Sequence, residues 1–159
     1  DMPIYALARV IEELKRRFAY IFATENRYPG APSVVIHQVE DTPFEVRGKR
    51  IIPVQVQHGK LPILGYRIDD LAYITDAKYI AEEALEKLKG VKVLVLNCLR
   101  KEPHPTHLNL EEALAIVGKI NPQRTYFTHI SQTFGFHAEV ERELPSGVFL
   151  AYDGLRINC

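Results

Sequence analysis

The sequence predicts a layered α/β or α+β fold, because two patterns follow one another along the chain. Between residues 33 and 75, apolar and polar residues alternate in paired runs separated by short turns, which is typical of antiparallel hairpins. After Asp76, helical and strand patterns alternate, and residues 91–96, apolar except for Lys92, are typical of a strand buried on both faces. In folds built of such layers, functional side chains lie at the ends of strands.

The opening segment is predicted to be an amphipathic helix. Asp1 can cap it, and Pro3 is tolerated in its first turn. Apolar residues recur at the spacing of one buried helix face, at Leu7, Val10, Leu14, Phe18 and Ile21. The Pro- and Gly-rich residues 28–32 end this helix, and the alternation over residues 33–39 predicts a strand.

Two hairpins are predicted next, at residues 44–57 and 63–75. The first leads into His58, and the second ends just before Asp76. Beyond them, Gly90 closes a helix, and Asn109 with Glu112 resembles the capping box that begins another. The remaining predicted elements are a strand at 124–128, a helix at 134–144, and strands at 148–152 and 155–157.

Composition narrows the range of functions. A chain of 159 residues with 47% hydrophobic and 25% charged residues predicts one globular domain. Lys and Arg total 20 and balance 20 Asp and Glu, so no charged patch for nucleic acid is expected. No apolar run approaches the roughly 20 residues that span a membrane, and the signal-peptide layout is missing. We therefore expect a cytoplasmic protein.

The cysteines and the first residue add two expectations. Cys98 ends an apolar strand and Cys159 is the last residue, so the pair forms neither a disulfide framework nor a CxxC metal motif. A reducing compartment fits this pattern. The chain begins at Asp1 rather than at Met, and we expect sequence to be missing upstream.

Four side chains suited to metal or proton chemistry stand where a strand gives way to a loop. They are His58, Asp76, His107 and His129. If the strand ends meet at one edge of a sheet, these groups can form a hydrolytic metal site. Each of these residues also has a structural interpretation. His58 and His129 can be hydrogen-bonded loop histidines, and Asp76 can be a helix N-cap. His107 and its neighbour His104 can be solvent-facing residues.

Other sites are not indicated. His37 lies inside a predicted strand and His137 inside a predicted helix, so neither is assigned to the site. The sequence contains no Gly-rich phosphate loop, no G-x-S-x-G motif and no Cys/His nucleophile pair. Nucleotide binding and acyl transfer are therefore disfavoured. Phosphotransfer through Asp76 is also disfavoured, since Lys78 stands where a second carboxylate would be needed.

Taken together, five ordered segments carry a resemblance that covers nearly the whole chain. They are H-G-K-L-P at 58–62, G-Y-R-I at 65–68, Y-I-T-D-A at 73–77, T-H-I-S at 128–131 and A-Y-D-G-L at 151–155. The set resembles the second half of metallo-β-lactamase-fold hydrolases, in the branch of phosphoribosyl cyclic phosphodiesterases. The resemblance implies a four-layer αβ/βα sandwich, of which residues 1–159 would be a single partial domain without its N-terminal half.

The resemblance also implies roles for the four side chains. Two divalent ions, zinc or manganese, would lie at the sheet edge of the complete protein. His58 would ligate one ion, Asp76 would bridge both, and His129 would ligate the other. A metal-bridging hydroxide would attack a small phosphodiester, while His107 would donate a proton to the leaving oxygen or stabilise the developing charge.

Two departures from the family pattern matter. The H-x-H-x-D-H segment, which supplies four ligands in the family, is not in this sequence. We therefore expect the chain alone to bind metal poorly and to self-associate, for example as a homodimer. Gln132 replaces the histidine of a structural zinc site, which is therefore not expected. The alternative function is a non-catalytic half-domain, a structural or binding module that pairs with the missing N-terminal half or a second chain.

Overall fold

The computed structural model describes residues 1–23, 25 and 27–158. It divides into two compact units, Asp1–Thr42 and the chain from Pro43 onward. No helix within these described residues is long and apolar enough to cross a membrane. The α/β fold class predicted from the sequence is confirmed, and the larger unit contains a mixed sheet.

The first unit is a two-stranded parallel sheet with helices in its connection. Strand β1 (Met2–Ala6) pairs with β2 (Val34–Gln38), and the helices are α1 (Ala8–Arg17) and α2 (Ala19–Phe22). The predicted helix start at Asp1 is therefore wrong. Pairing with β2 satisfies the backbone of residues that local pattern alone assigns to a helix, and the helix begins only after the extended Leu7.

The second unit is built on a seven-stranded sheet with the strands in sequence order. These strands are β3 (Phe44–Val46), β4 (Lys49–His58), β5 (Leu61–Ile68), β6 (Leu71–Ile74), β7 (Val93–Asn97), β8 (Arg124–Thr128) and β9 (Val148–Leu150). Its helices are α3 (Glu82–Glu86), α4 (Leu110–Ile120) and α5 (His137–Glu143).

Strand direction determines which strand ends, and therefore which candidate site residues, lie at the same edge of the sheet. Strands β3 to β6 are successive antiparallel neighbours, whereas β6 to β9 pair in parallel. Consequently β4, β6, β7 and β8 all run the same way, and their carboxyl ends meet at one edge of the sheet. The two predicted hairpins are confirmed; the turn of the first lies at Arg47 and Gly48, both at positive φ, rather than at Gly48 and Lys49 as the sequence predicts.

One face of the sheet packs against the helices. Its core contains large side chains that are almost fully buried, among them Val54, Ile74, Leu88, Leu94, Leu96, Phe127 and Phe134. The capping box at Asn109 and Glu112 is confirmed and begins α4.

Two predictions in the last segment differ from the structure. The predicted helix at 134–144 begins only at His137, because Gly135 stands at a φ of 119°, which a helix does not allow. The predicted strand at 155–157 is wrong: pairing with β8 ends at Leu150, and a turn at Asp153 and Gly154 follows.

Candidate metal centre

The structure brings the four candidate side chains together in the second unit. His58 ends β4, Asp76 follows β6, His129 follows β8, and His107 lies in the connection between β7 and α4. The Nε2 atoms of His107 and His129 lie 3.2 Å and 3.3 Å from the same carboxylate oxygen, Oδ1 of Asp76. The ring of His107 lies 4.6 Å from that of His58 and 4.8 Å from that of His129.

His58 is held by backbone carbonyl groups. Its Nδ1 atom lies 3.0 Å from the carbonyl oxygens of both Asp76 and Thr106. A carbonyl oxygen can only accept a hydrogen bond, so Nδ1 must carry the proton and donate it. In the neutral ring Nε2 then keeps its lone pair, which is the arrangement that a metal-ligating histidine requires.

Asp76 and His129 leave their strands through the left-handed backbone region, at φ values of 59° and 58°. Asp and His are among the residues that adopt this region more often than most other non-Gly residues do. These turns lift both side chains out of the sheet at its edge. Asp76 remains 40% exposed and His129 41% exposed, so both are open to solvent and to a ligand.

His107 is more enclosed, with only 12% of its side chain exposed. Burial lowers its pKa below the ordinary value; the hydrogen bond with Asp76 opposes this shift, and the nearby His129, His58 and His104 reinforce it. The ring is therefore neutral near pH 7. Its Nδ1 atom lies 3.0 Å from Oγ1 of Thr106 and 3.1 Å from Nδ1 of His104.

Two further residues support this cluster and were missed from the sequence. His104 was interpreted as an ordinary surface residue, yet its Nδ1 atom accepts a hydrogen bond from the Thr106 backbone and contacts His107. Asn97 was not singled out at all. It is fully buried, and its amide binds the backbone of Ala77, directly after Asp76. The available signal was a polar residue directly after the apolar residues 93–96.

The donor atoms suit a divalent cation. One ligand atom each from His58, Asp76 and His107 lies within 4.8 Å of the other two. Imidazole nitrogen and carboxylate oxygen are ligands of both zinc and manganese. Tetrahedral bonds of about 2.0–2.1 Å separate ligand atoms by about 3.3 Å, close to the spacings around Asp76 Oδ1. This set includes His107, while the family resemblance names His129; both imidazoles reach the same carboxylate oxygen.

Comparison with known proteins agrees with this fold. The family described as "Beta-lactamase superfamily domain" matches residues 1–130, most of the chain. The chain belongs to the β-lactamase superfamily. A similar superfamily structure, a diphosphatase of the PhnP family, is 39% identical with a TM-score of 0.88, and the match covers 99% of this chain and 58% of that one.

Other relatives differ in name and in extent. An octanoyltransferase of Porphyromonas gingivalis (strain ATCC BAA-308 / W83) is 36% identical over 157 residues, which are 98% of this chain and 32% of that protein. The metallo-β-lactamase fold protein YhfI of Bacillus subtilis shares the fold at 19% identity and a TM-score of 0.73, covering 96% of this chain and 63% of that one. The chain thus spans less than two thirds of the length of each of these three relatives.

Proposed function

We propose that this chain supplies metal ligands and a proton donor to a metal-dependent hydrolase that cleaves a small phosphodiester. The observation that carries the proposal is the meeting of two imidazoles on one oxygen of Asp76, with His58 held beside them in a metal-ligating tautomer. The 39% identity to a diphosphatase supports hydrolysis at phosphorus. A site with two ions would need further ligands besides these side chains.

Each side chain has a defined part in this proposal. His58, His129 and the Asp76 carboxylate would hold the two ions. When bound, the ions supply Lewis-acid stabilisation of phosphoryl charge and an attacking hydroxide near neutral pH. His107 faces the same space and donates a proton to the leaving oxygen. A phosphodiester anion beside its ring favours the protonated form, which offsets the lowering of its pKa by burial.

Acyl transfer, which the name of the octanoyltransferase suggests for that protein, has no cysteine nucleophile among the described residues of this site. Cys98 is fully buried, and burial raises the pKa of its thiol to about 12. A thiol acts as a nucleophile in its thiolate form, which is a negligible fraction near pH 7 at that pKa. The described cysteine is therefore a core residue, and the cluster of imidazoles remains the reactive feature.

Substitution of His107 tests the proposal. We expect His107→Ala to lower kcat on an activated aryl phosphodiester by about 100-fold or more, because the leaving oxygen loses its proton donor. Metal content, measured by plasma emission spectrometry, should stay at the wild-type value. The matched control is His137→Ala, which removes a histidine of α5 whose side chain is 44% exposed and which is outside the cluster.

The results separate two roles for His107. Loss of rate with metal retained supports the proton donor, whereas loss of metal makes His107 a ligand and refutes its role as the acid. A rate within a few-fold of wild type would remove His107 from the reaction altogether.

A further inference from the structure

Asn97 is a buried amide at the carboxyl end of β7. The strand is buried along its whole length, and Asn97 is its one polar residue, with 0% of its surface exposed. Burying an amide is unfavourable unless both its donor and its acceptor are hydrogen-bonded. An apolar residue would satisfy packing at this position more simply, so the polar group calls for an explanation.

Both halves of the amide bind a single residue, Ala77. The Ala77 N–H donates to Oδ1 of Asn97 at 2.7 Å, and Nδ2 of Asn97 donates to the Ala77 carbonyl at 2.9 Å. The ladder between β6 and β7 ends at the pair Ile74 and Leu96. Beyond that pair, the Asn97 side chain makes the two hydrogen bonds with the Ala77 backbone that a neighbouring strand would otherwise make.

Ala77 joins the segments that carry two of the site residues. It directly follows Asp76, and its carbonyl also accepts a hydrogen bond from the N–H of Leu108 at 2.8 Å. Leu108 in turn directly follows His107. Ala77 is itself fully buried, so water does not substitute for these partners. One buried amide therefore fixes the peptide at which the Asp76 and His107 segments meet.

We propose that Asn97 is a positioning residue for the metal centre. Its amide holds Asp76 in the left-handed conformation at φ 59° and keeps the His107 segment beside it, so that His107 Nε2 stays 3.2 Å from Asp76 Oδ1. The link to metal binding rests on the proposed function, whereas the positioning is a property of the chain without metal. Asn97 itself contacts the loop backbone and acts through it.

Two substitutions at Asn97 test this role. Asn97→Leu keeps the approximate size and removes both hydrogen bonds. Asn97→Asp keeps the shape and an acceptor for the Ala77 N–H, and it places a carboxylate oxygen against the Ala77 carbonyl instead of a donor. Thr125→Val is the matched control: Thr125 is 1% exposed on the neighbouring strand β8, and its hydroxyl has no hydrogen-bond partner among the described residues.

Zinc affinity and metal-free crystal structures are the two measurements. Affinity is measured by competition with a chromogenic chelator, at a temperature where circular dichroism shows every variant folded. We expect both Asn97 variants to bind zinc at least about 10-fold more weakly, as loss of groups that orient metal ligands generally does. We also expect the metal-free structures to show Asp76 Oδ1 and His107 Nε2 separated beyond hydrogen-bonding distance, while Thr125→Val matches wild type in both.

The outcomes separate positioning from general stability and from the proposed function. Variants that lose thermal stability but keep the wild-type zinc affinity and the wild-type separation of Asp76 and His107 would overturn the inference. If Asn97→Leu does not fold, Asn97→Asp decides by the same two criteria. A wild-type chain that binds no zinc would refute zinc binding by residues 1–159 and not the positioning role, because the metal-free structures still decide whether Asn97 positions the two segments.

Discussion

Asp76 combines two properties that a single substitution can separate. Its carboxylate oxygen receives two imidazoles, and its backbone has a positive φ that Asn tolerates as well as Asp does. Asp76→Asn therefore removes the charge while keeping the backbone. We expect the variant to fold normally and to lose most of the metal that the wild-type chain retains after dialysis, because an amide is a poor bridge between two cations.

The chain offers a matched control for this experiment. Asp69 also has a positive φ, of 51°, and its carboxylate pairs with Lys49 in an exposed turn. Asp69→Asn should leave the metal content unchanged. An Asp76→Asn chain with the same metal content as wild type would reject the bridging role of Asp76.

At the scale of elements, a side chain in the first turn of helix α4 binds the loop that follows Asp76. Glu112 completes the capping box with Asn109, and it accepts a hydrogen bond from Nζ of Lys78 at 2.6 Å. Burial raises the pKa of Glu112, but the hydrogen bonds from Lys78 and from the Asn109 backbone outweigh burial, and the net pKa is lowered. The ionised carboxylate therefore stabilises the folded state.

This gives a pH-dependent prediction for Glu112→Gln. A carboxyl with a lowered pKa stabilises the fold above its unfolded-state value of 4.5, and that stabilisation is lost as the pH falls through the folded-state pKa. We expect the variant to reduce the free energy of unfolding by about 1 kcal/mol near neutral pH, with a smaller difference in acid. Urea unfolding near neutral pH and in acid measures this difference in the free energy of unfolding.

The adjacent carboxylate provides the comparison for Glu112. Glu111→Gln alters an exposed residue in the same helical turn and should change the unfolding free energy little at either pH. A difference between Glu112→Gln and wild type that stays the same in acid would contradict the role assigned to the charge.

Local signals explain which elements could be predicted from the sequence. The α4 start was predictable because Asn109 and Glu112 are three residues apart, and β8 was predictable with its exact bounds at 124–128. The strand β1 was not, because its partner β2 lies about 30 residues away and the local pattern favours a helix. Non-local pairing overrode local preference there.

In the candidate site, too, some residues could be predicted from the local sequence and others could not. Strand-end positions were enough to select His58, Asp76 and His129, because strands that run in one direction end at one edge, whereas His107 lies in the loop between β7 and α4. The supporting contacts of His104 and Asn97 depend on the path of the loops after β6 and β7, which no residue pattern specifies. Sequence therefore indicated the reactive groups better than the groups that hold them.

At the scale of the molecule, the sheet of the second unit has an aromatic row on the face that includes Tyr73. Paired residues continue across five strands, in the order Tyr66, Tyr73, Val95, Tyr126 and Phe149. Directly paired residues point to the same side of a sheet, so these side chains share one face. A cavity of about 330 Å³ lies on it, lined by Tyr73, Tyr126 and Tyr152 among others.

This face predicts self-association of the chain. Tyr73 is 47% exposed and Phe149 is 38% exposed, and aromatic surface of this extent usually lies against another protein surface. We expect light scattering after size exclusion to give a mass above 18.2 kDa, and Tyr73→Lys with Phe149→Lys to restore the monomer, since two charges in an apolar contact are strongly unfavourable. Phe136→Lys, at a 79% exposed aromatic outside the sheet, is the control and should keep the larger mass. A monomeric wild-type chain, or a double variant of unchanged mass, would show that this face is not the contact.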